Sequence, residues 1–525
     1  MIPVAWEGTQ FVHHSLAHVN RELCLRLAQY SQLELTLIPY EPDRFDPALI
    51  PRYKPLRKRL NRPLSRPAAV HVRHQWPPNF EPPPSGAWVM IQPWEFGGLP
   101  VSWVAPMRDL VDEIWVPSAF VREAYVRSGV ASDKVVVVPN GVELGLYTPK
   151  GPRHPLQTTR RCKLLYVGGM LVRKGVDILL DVYASTFTAA DDVCLVIKAA
   201  GIGTFYGDSP FVQQIRETMA RPSAPEIELL TDELSDVQMA ALYRACDALV
   251  HPYRGEGFGM PIVEAMSSGL PVIVTDYGAC LDFCDAGNAF LIPAREEGID
   301  SHALPPPSIG YWWAEPDRLV LAEHMRRVVA DPWQAREVGQ RARQRMREFT
   351  WERAAARALE RIQVLAARQP VRDVAVRGFT GGAVVPLPLE GRRHIAFLHH
   401  PQWSSDNWQE VVRAYLRAFT DQDDTTLVLW LDPNQGVSAE NAQQRIMDVI
   451  AATLDDPDGG PDLLLVPDRL DLRGISRLYA AVDYVVPNGD VLQAQRARQS
   501  GVRVLDDLAA DSWRRAAAQE DSPSP

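Results

Sequence analysis

The stretch from Ala248 to Val274 constrains this chain most. It sets a short apolar strand (Ala248-Leu249-Val250), a glycine-rich loop ending in Gly257-Phe258-Gly259, a helical segment and a second apolar strand (Val272-Ile273-Val274) in one run. Pro261 suits the first turn of a helix, where its missing N–H costs nothing, and Gly269 with Pro271 ends the helix. Such a loop points unpaired backbone N–H groups at one spot, at the positive end of a helix dipole, which makes a place for a phosphate. Two carboxylates bracket it. Glu264, one turn into the helix, can reach a ribose hydroxyl, and Glu256, just before the loop, can reach a sugar hydroxyl on the other side of the phosphates.

The same alternation of strand and helix patterns runs through most of the chain and argues for parallel sheets with helices on both faces. In the first ~150 residues the strands are Leu33–Ile38, Ala69–Val72, Trp88–Ile91, Glu113–Val116 and Lys134–Val138, with helices over Val19–Tyr30 and Ser118–Ser128. Lys150 to Arg161 is polar and contains Pro and Gly, so it reads as a linker. A second α/β run follows, with strands at Lys163–Val167, Val193–Lys198 and Ile227–Leu230 ahead of the pair named above. Glu315 to Ala367 reads as helices rich in Ala, Arg and Glu. A chain of 525 residues is too long for one core and points to roughly three domains.

Residues 370–392 are rich in Gly, Pro and Val and read as a second linker, after which the chain repeats itself. Asp177 to Val196 matches Gln409 to Val428 without a gap, with Tyr183, Phe187, Asp191 and Asp192 opposite Tyr415, Phe419, Asp423 and Asp424. Leu242 to Asp247 matches Leu478 to Asp483, and Ser268-Gly269 matches Ser500-Gly501. Between those anchors the second copy is four residues shorter, where the loop Glu256 to Gly259 would fall; it has Asn488-Gly489-Asp490-Val491-Leu492 instead. The third region is therefore read as a degenerate copy without the phosphate loop. The match also places Asp421-Gln422-Asp423 opposite Ala189-Ala190-Asp191, so this acidic triplet reads as a turn rather than a metal motif. The tail from Asp511 reads as polar and fraying.

Net charge of −10 argues against bulk nucleic-acid binding. No run reaches the eighteen apolar residues of a membrane span, and the N-terminus lacks the basic start and apolar stretch of a signal peptide. The six cysteines are scattered, and several lie in apolar runs; they read as buried free thiols of a reduced, cytoplasmic protein.

Four segments, in order, resemble the signature of retaining nucleotide-sugar glycosyltransferases of family 4. They are Val138-Pro139-Asn140-Gly141-Val142, the run from Lys163 to Asp177, the E-x7-E pair Glu256 and Glu264, and Phe349-Thr350-Trp351-Glu352. The resemblance covers roughly residues 1–370 and implies the α/β GT-B fold: two Rossmann-like domains facing across a cleft, here with a third, degenerate Rossmann-like domain. The implied division is an acceptor domain over 1–150, a nucleotide-sugar domain with a crossover helix over 151–370, a linker over 371–390, the accessory domain over 391–510 and a flexible tail over 511–525.

The resemblance implies transfer of a sugar, with retention, from a UDP- or GDP-sugar to a glycan or lipid-linked saccharide, with no cofactor and no essential metal. Lys174 is implied to meet the diphosphate and stabilise charge on the leaving group. The family often has an arginine five residues earlier; Gly169 stands there, and Arg173 is the candidate to replace it. The remaining implied donor contacts are Gly168, Gly257, Phe258, Gly259, Glu264, Gly8 and the loop of Thr231 and Leu234, with Phe258 packing rather than reacting. Glu256 joins Lys174 and Arg173 at the reacting end. On the acceptor side His74 and Glu95 are candidates; the family often places a histidine near Glu95, and none is present.

The basic stretch from Arg52 to Arg66 offers a weak contact with an anionic membrane surface, although its prolines favour a solvated charged face. Two rivals share the site: an epimerase or phosphorylase on the same fold, and a non-catalytic nucleotide- or glycan-binding scaffold. Nothing in the sequence sets the oligomeric state, the sugar, the base or the linkage.

Overall fold

The computed structural model describes residues 1–200, 210–299, 312–370, 386–403, 405–431, 437–456, 459–467, 470, 472–490, 493–494, 497 and 502–518. Among them the chain forms two compact units. One holds residues 1–75 and 87–370; the other holds 76–86 and the chain from 371 onward. Residues 76–86, expected within the first domain, thus group with the third.

The first unit contains two lobes. In the first, β1 (Ile2–Gly8), β2 (Leu33–Ile38), β3 (Val70–His74), β4 (Ala87–Ile91), β5 (Glu113–Val116) and β6 (Val135–Val137) form a parallel sheet in the order β2-β1-β3-β4-β5-β6. Two expected helices are present with shifted ends, at Ser15–Leu27 and Ala119–Arg127. The first starts early because His14 caps it, accepting from the Ala17 N–H, a role open to few histidines in a sequence reading. Strand β1 includes Trp6-Glu7-Gly8, and Glu7 is buried there against Arg73 at 2.8 Å. The second lobe's sheet is β7 (Cys162–Gly169), β8 (Val193–Ala200), β9 (Glu226–Leu230), β10 (Ala248–His251), β11 (Val272–Thr275) and β12 (Phe290–Ile292), in the order β12-β11-β10-β7-β8-β9. The hairpin of β13 (Ala294–Gly298) and β14 (Trp312–Pro316) stands beside it.

The helix Trp351–Ala366 ties the lobes together. Its stripe Trp351, Ala354, Ala355, Ala358, Ile362 and Leu365 repeats at helical spacing and is buried in the first lobe's core. Thr350 caps its start, and Arg361 reaches Glu113 of β5 at 2.7 Å. Two sequence segments meet here. Val142 forms a β-bridge with Thr350 and donates its N–H to Phe349 O at 2.9 Å, and a Cβ on Gly141 would lie 2.2 Å from the Trp351 nitrogen. Only glycine fits that approach.

In the second unit, β15 (Ile395–His399), β16 (Thr425–Trp430), β17 (Asp462–Val466), β18 (Tyr484–Val485) and β19 (Arg503–Val504) run parallel in the order β17-β16-β15-β18-β19. This is the order of β9-β8-β7-β10-β11 in the second lobe. Individual bonds repeat as well. Tyr183 donates to Glu226 O at 2.8 Å, and Tyr415 to Asp462 O at 3.1 Å. Thr188 Oγ1 donates to Asp191 at 2.9 Å, and Thr420 Oγ1 to Asp423 at 2.9 Å. Asp247 takes the Lys163 N–H at 2.9 Å, and Asp483 the Ala396 N–H at 2.8 Å. Asp423 is therefore a turn-former.

The tail departs from the expectation of fraying. Residues Ala510–Ala518 form a helix whose Trp513 is fully buried against Phe397, Tyr415 and Phe419. One aromatic anchor at the right phase outweighs the polar composition around it. The second linker also packs on this unit, where Leu387 and Leu389 meet a separate cluster with Ala396, Leu398 and Val428, while 371–385 and 519–525 lie outside the described residues. The six cysteines are free and buried.

Candidate functional site

The site lies where β7 and β10, neighbours in the second lobe, deliver their loops. After β7 the chain makes a tight turn over Val172–Lys174, and Gly175 closes it at φ 71°. A Cβ there would lie 1.9 Å from the Pro252 carbonyl, so Arg173-Lys174-Gly175 is bound to the β10 loop by sterics as well as sequence. The helix Met260–Ser267 follows the β10 loop, with Gly259 at φ 96° as its N-cap. This aims the helix start back at the turn.

Lys174 and Glu256 meet as a direct ion pair in this turn, both largely buried. His251, at the end of β10 and completely buried, approaches the same carboxylate oxygen, Oε1, with its Nε2 at 3.1 Å. Burial would raise the Glu256 carboxyl, but Lys174, the His251 hydrogen bond and Arg173 outweigh it and hold it well below the ordinary range. Burial lowers Lys174, with Arg173 adding to the shift and Glu256 opposing it. Burial likewise lowers His251, whose imidazole is therefore neutral and stacks on Tyr166, ring centroids 5.4 Å apart. The cluster is an ion pair steadied by a neutral donor.

Arg173 gives Nη1 to Gly255 O at 2.9 Å and faces Glu95 of the first lobe across 3.2 Å. Arg254 braces the loop from behind. It holds Asp177 through two bonds of 2.8 Å, donates to Val172 O at 2.7 Å and pairs with Glu315 of β14. The loop also touches the first lobe directly, since Ser118 Oγ donates to Gly257 O at 2.9 Å.

Glu264 sits one turn into the helix and accepts from Tyr243 OH at 2.8 Å. Burial pushes its carboxyl up to about 8, with the Tyr243 and Tyr147 hydroxyls pulling the other way. Phe258 is buried against Phe283, ring centroids 5.4 Å apart. Gly168 and Gly169 end β7, and Gly169 O receives the Tyr166 hydroxyl at 3.1 Å.

The structure thus gathers Lys174, Arg173, Glu256, Gly257 and Glu95 in one place, with Phe258, Gly259 and Glu264 on the adjoining loop and helix. Four other expected residues make their contacts with their own neighbours. Gly8 is required by packing, since a Cβ would lie 2.5 Å from His74 O and 2.7 Å from Asn20. His74 is buried in β3, with Nδ1 2.8 Å from Asn20 Oδ1, and burial lowers it to about 3. Thr231 is exposed just past β9, and Leu234 packs against the second lobe's core. Sequence reasoning missed His251, Arg254, Asp177 and Glu315. The signal for His251 was its place at the end of β10, five residues before Glu256; Glu315 lies on a hairpin whose docking no pattern reveals. Among the described residues no group of His, Cys, Asp or Glu is arranged to hold a metal ion, and no helix is long and apolar enough to cross a membrane.

Residues 161–302 match the family model of glycosyl transferases group 1. An uncharacterized glycosyltransferase of Methanocaldococcus jannaschii is 37% identical over 114 residues, 22% of this chain and 28% of that protein. A GDP-mannose-dependent alpha-(1-6)-phosphatidylinositol dimannoside mannosyltransferase of Mycobacterium tuberculosis is 26% identical over 260 residues, 49% of this chain and 58% of that protein. The crystal structure of a glycosyltransferase from Rickettsia africae superposes with a TM-score of 0.51 at 13% identity, over 70% of this chain and 100% of that one. The chain spans about a quarter to somewhat over half the length of these curated relatives. The structural likeness is one of fold, and the fold is GT-B.

Proposed function

We propose that this chain, whose second lobe carries a glycosyl transferases group 1 domain within a GT-B frame, moves a sugar from a nucleoside-diphosphate sugar to a glycan or lipid-linked saccharide, with retention and without an essential metal. The observation that carries the reading is the buried Lys174–Glu256 pair at the mouth of the loop helix, with Glu264 one turn further on. Departure of a diphosphate needs positive charge where the phosphate oxygens gather it, and Lys174 with the loop amides and the helix dipole supplies that. Both known contacts to Glu256 fall on Oε1, so Oε2 is the atom to meet a sugar hydroxyl. Glu264, held by Tyr243, takes the ribose. The resemblance to retaining family 4 enzymes implies attack from the face of the departing phosphate, which accepts the acceptor's proton.

The mycobacterial relative is named for GDP-mannose and a phosphatidylinositol mannoside, which favours GDP-mannose as the first donor to test and a lipid-linked acceptor. A membrane-surface role for residues 52–66 rests on charge alone: Lys54, Arg57, Lys58 and Arg62 are exposed, whereas Leu56 is buried in the first lobe's core. A cytoplasmic location fits this reading. Incubation with UDP- and GDP-sugars, scoring release of the nucleotide and the anomeric configuration of any product by NMR, tests the proposal. Release with retained configuration supports it. Tight nucleotide binding with no turnover points to a scaffold instead, and no binding of either nucleotide removes the donor site altogether.

A further inference from the structure

We propose that Glu95 is a positioning residue that competes with the donor's diphosphate for Arg173; this rests on the donor reading above. Arg173 shares a three-residue turn with Lys174, and its guanidinium is fixed at both ends. Nη1 is committed to Gly255 O at 2.9 Å, while Nη2 faces the Glu95 carboxylate at 3.2 Å. Its own carbonyl takes the Arg254 and Gly255 N–H groups at 2.8 and 3.3 Å, so the turn and the loop move as one. Glu95 comes from the other lobe, just past β4. The backbone there lies on the glycine loop itself: a Cβ on Gly255 would sit 2.3 Å from Glu95 O, and one on Gly257 would sit 3.0 Å from Trp94 O.

The charges decide what this contact does. Lys174 and Arg173 bring two positive charges to the turn, and Glu256 and Glu95 bring two negative ones, with a neutral His251 beside them. The set is balanced. Glu256 is buried in its pair with Lys174 and braced by His251, so its charge stays. Glu95 is the more exposed acid, its side chain 30% accessible against 6% for Glu256, and it is the one carried by a separate lobe. A diphosphate reaching the loop brings the same sign and the same acceptor chemistry as Glu95, so the two anions repel each other and compete for the Nη2 edge of the guanidinium. Donor entry therefore trades the Glu95–Arg173 bond for an Arg173–phosphate bond and frees the first lobe from this tether. Departure of the nucleotide restores it. Glu95 then weakens nucleotide affinity and favours product release, and Arg173 takes over as phosphate ligand only in the donor complex.

The test is calorimetric titration of the full chain with UDP and with GDP, for the wild type, Glu95→Gln, Glu95→Asp, Arg173→Gln, the Glu95→Gln/Arg173→Gln double variant and Lys174→Ala. Removing the competing charge at constant size tightens nucleotide binding by about three- to tenfold, as for a partly exposed ion pair. Glu95→Asp returns the affinity to the wild-type side, and with a turning-over donor the Glu95→Gln change appears as a lower KM without a higher kcat. The gain vanishes when Arg173 is also replaced. Unchanged or weaker binding by Glu95→Gln overturns the competition, and a gain that survives in the double variant overturns its route through Arg173. Lys174→Ala separates the two readings: if it loses affinity while Glu95→Gln gains none, the donor site stands and only the competition falls. If Lys174→Ala binds like the wild type, or neither nucleotide binds the wild type, the donor reading falls and takes this one with it.

Discussion

The second lobe and the third region are two versions of one sheet. Their strand orders coincide, and the bonds that repeat are those that close turns and begin strands: Tyr183 with Tyr415, Asp191 with Asp423, Asp247 with Asp483. Apart from the sixth strand β12 of the second lobe, the difference that bears on chemistry lies in the crevice between the first strand and the fourth. Counting back from the match that begins at Asp177, Lys174 falls opposite Asp406, a reversal of sign, and counting forward from the match of Leu242–Asp247 with Leu478–Asp483, His251 falls opposite Pro487. Gln493 fills the crevice instead, donating to His400 O at 3.1 Å and to Asp490 at 3.0 Å. His399 turns its Nδ1–H to Val486 O at 2.7 Å, and burial lowers it to about 4. Scaffold bonds are needed whether or not a ligand is bound, because a buried polar group left unpaired destabilises the fold. Site residues carry no such requirement, and here they have been exchanged for side chains that satisfy one another.

That contrast can be broken in several places. The largest effect is expected at Trp513→Ala. If the terminal helix is part of the third core, the variant loses about 3–5 kcal/mol there, seen as faster hydrogen exchange over β15–β18, while nucleotide binding persists. Unaltered exchange would return the helix to the status of a loose tail. Next comes Lys174→Ala, which should slow turnover by about a hundredfold or more as a transition-state stabiliser is lost. By contrast, Gln493→Ala in the crevice of the third region should leave the rate at the wild-type value; equal losses from both would mean that the third region also handles donor.

Glu264→Ala should weaken nucleotide binding by about 1–3 kcal/mol, the cost of an unpaired ribose hydroxyl pair. Its carboxyl, raised by burial to about 8, also gives binding a pH dependence. The folded state keeps this proton above the ordinary carboxylate range, so the stability it contributes is full below about 4.5 and lost as pH rises toward about 8. Ribose binding should move the other way, strengthening through the same interval as the ionised carboxylate becomes the better acceptor. Titrations at several pH values would show this, and a flat profile would remove Glu264 from the ribose. The smallest expected effect is a matched pair: Tyr183→Phe and Tyr415→Phe should each cost about 0.5–1.5 kcal/mol in denaturant unfolding, as single hydrogen bonds do. A cost in one copy alone would mean the two tyrosines only look alike.

Much of this was legible beforehand because it depended on periodicity and spacing. Alternating apolar runs fixed the parallel sheets, and Pro261 with Gly269 marked the loop helix. The acidic pair eight residues apart located the crevice. What escaped was decided by neighbours distant in sequence. His251 looks like any strand-end residue until the turn at Gly175 presses Lys174 and Glu256 against it. No pattern shows that Glu95 faces Arg173 across 3.2 Å. Nor does any show that packing against Asn20 and His74 requires a glycine at position 8. Trp513 sits in a polar segment whose one large apolar residue is enough to dock it.

By itself the amino-acid order determined which segments become strands and helices and which glycines and acids meet at the β10 loop, since local sterics and hydrogen bonding act over a few residues. Only the tertiary structure decided how the charges are shared among Lys174, Glu256, Arg173 and Glu95. Coulomb energy and desolvation depend on separation and burial through space, and 78 positions of chain (173 − 95) separate Glu95 from Arg173.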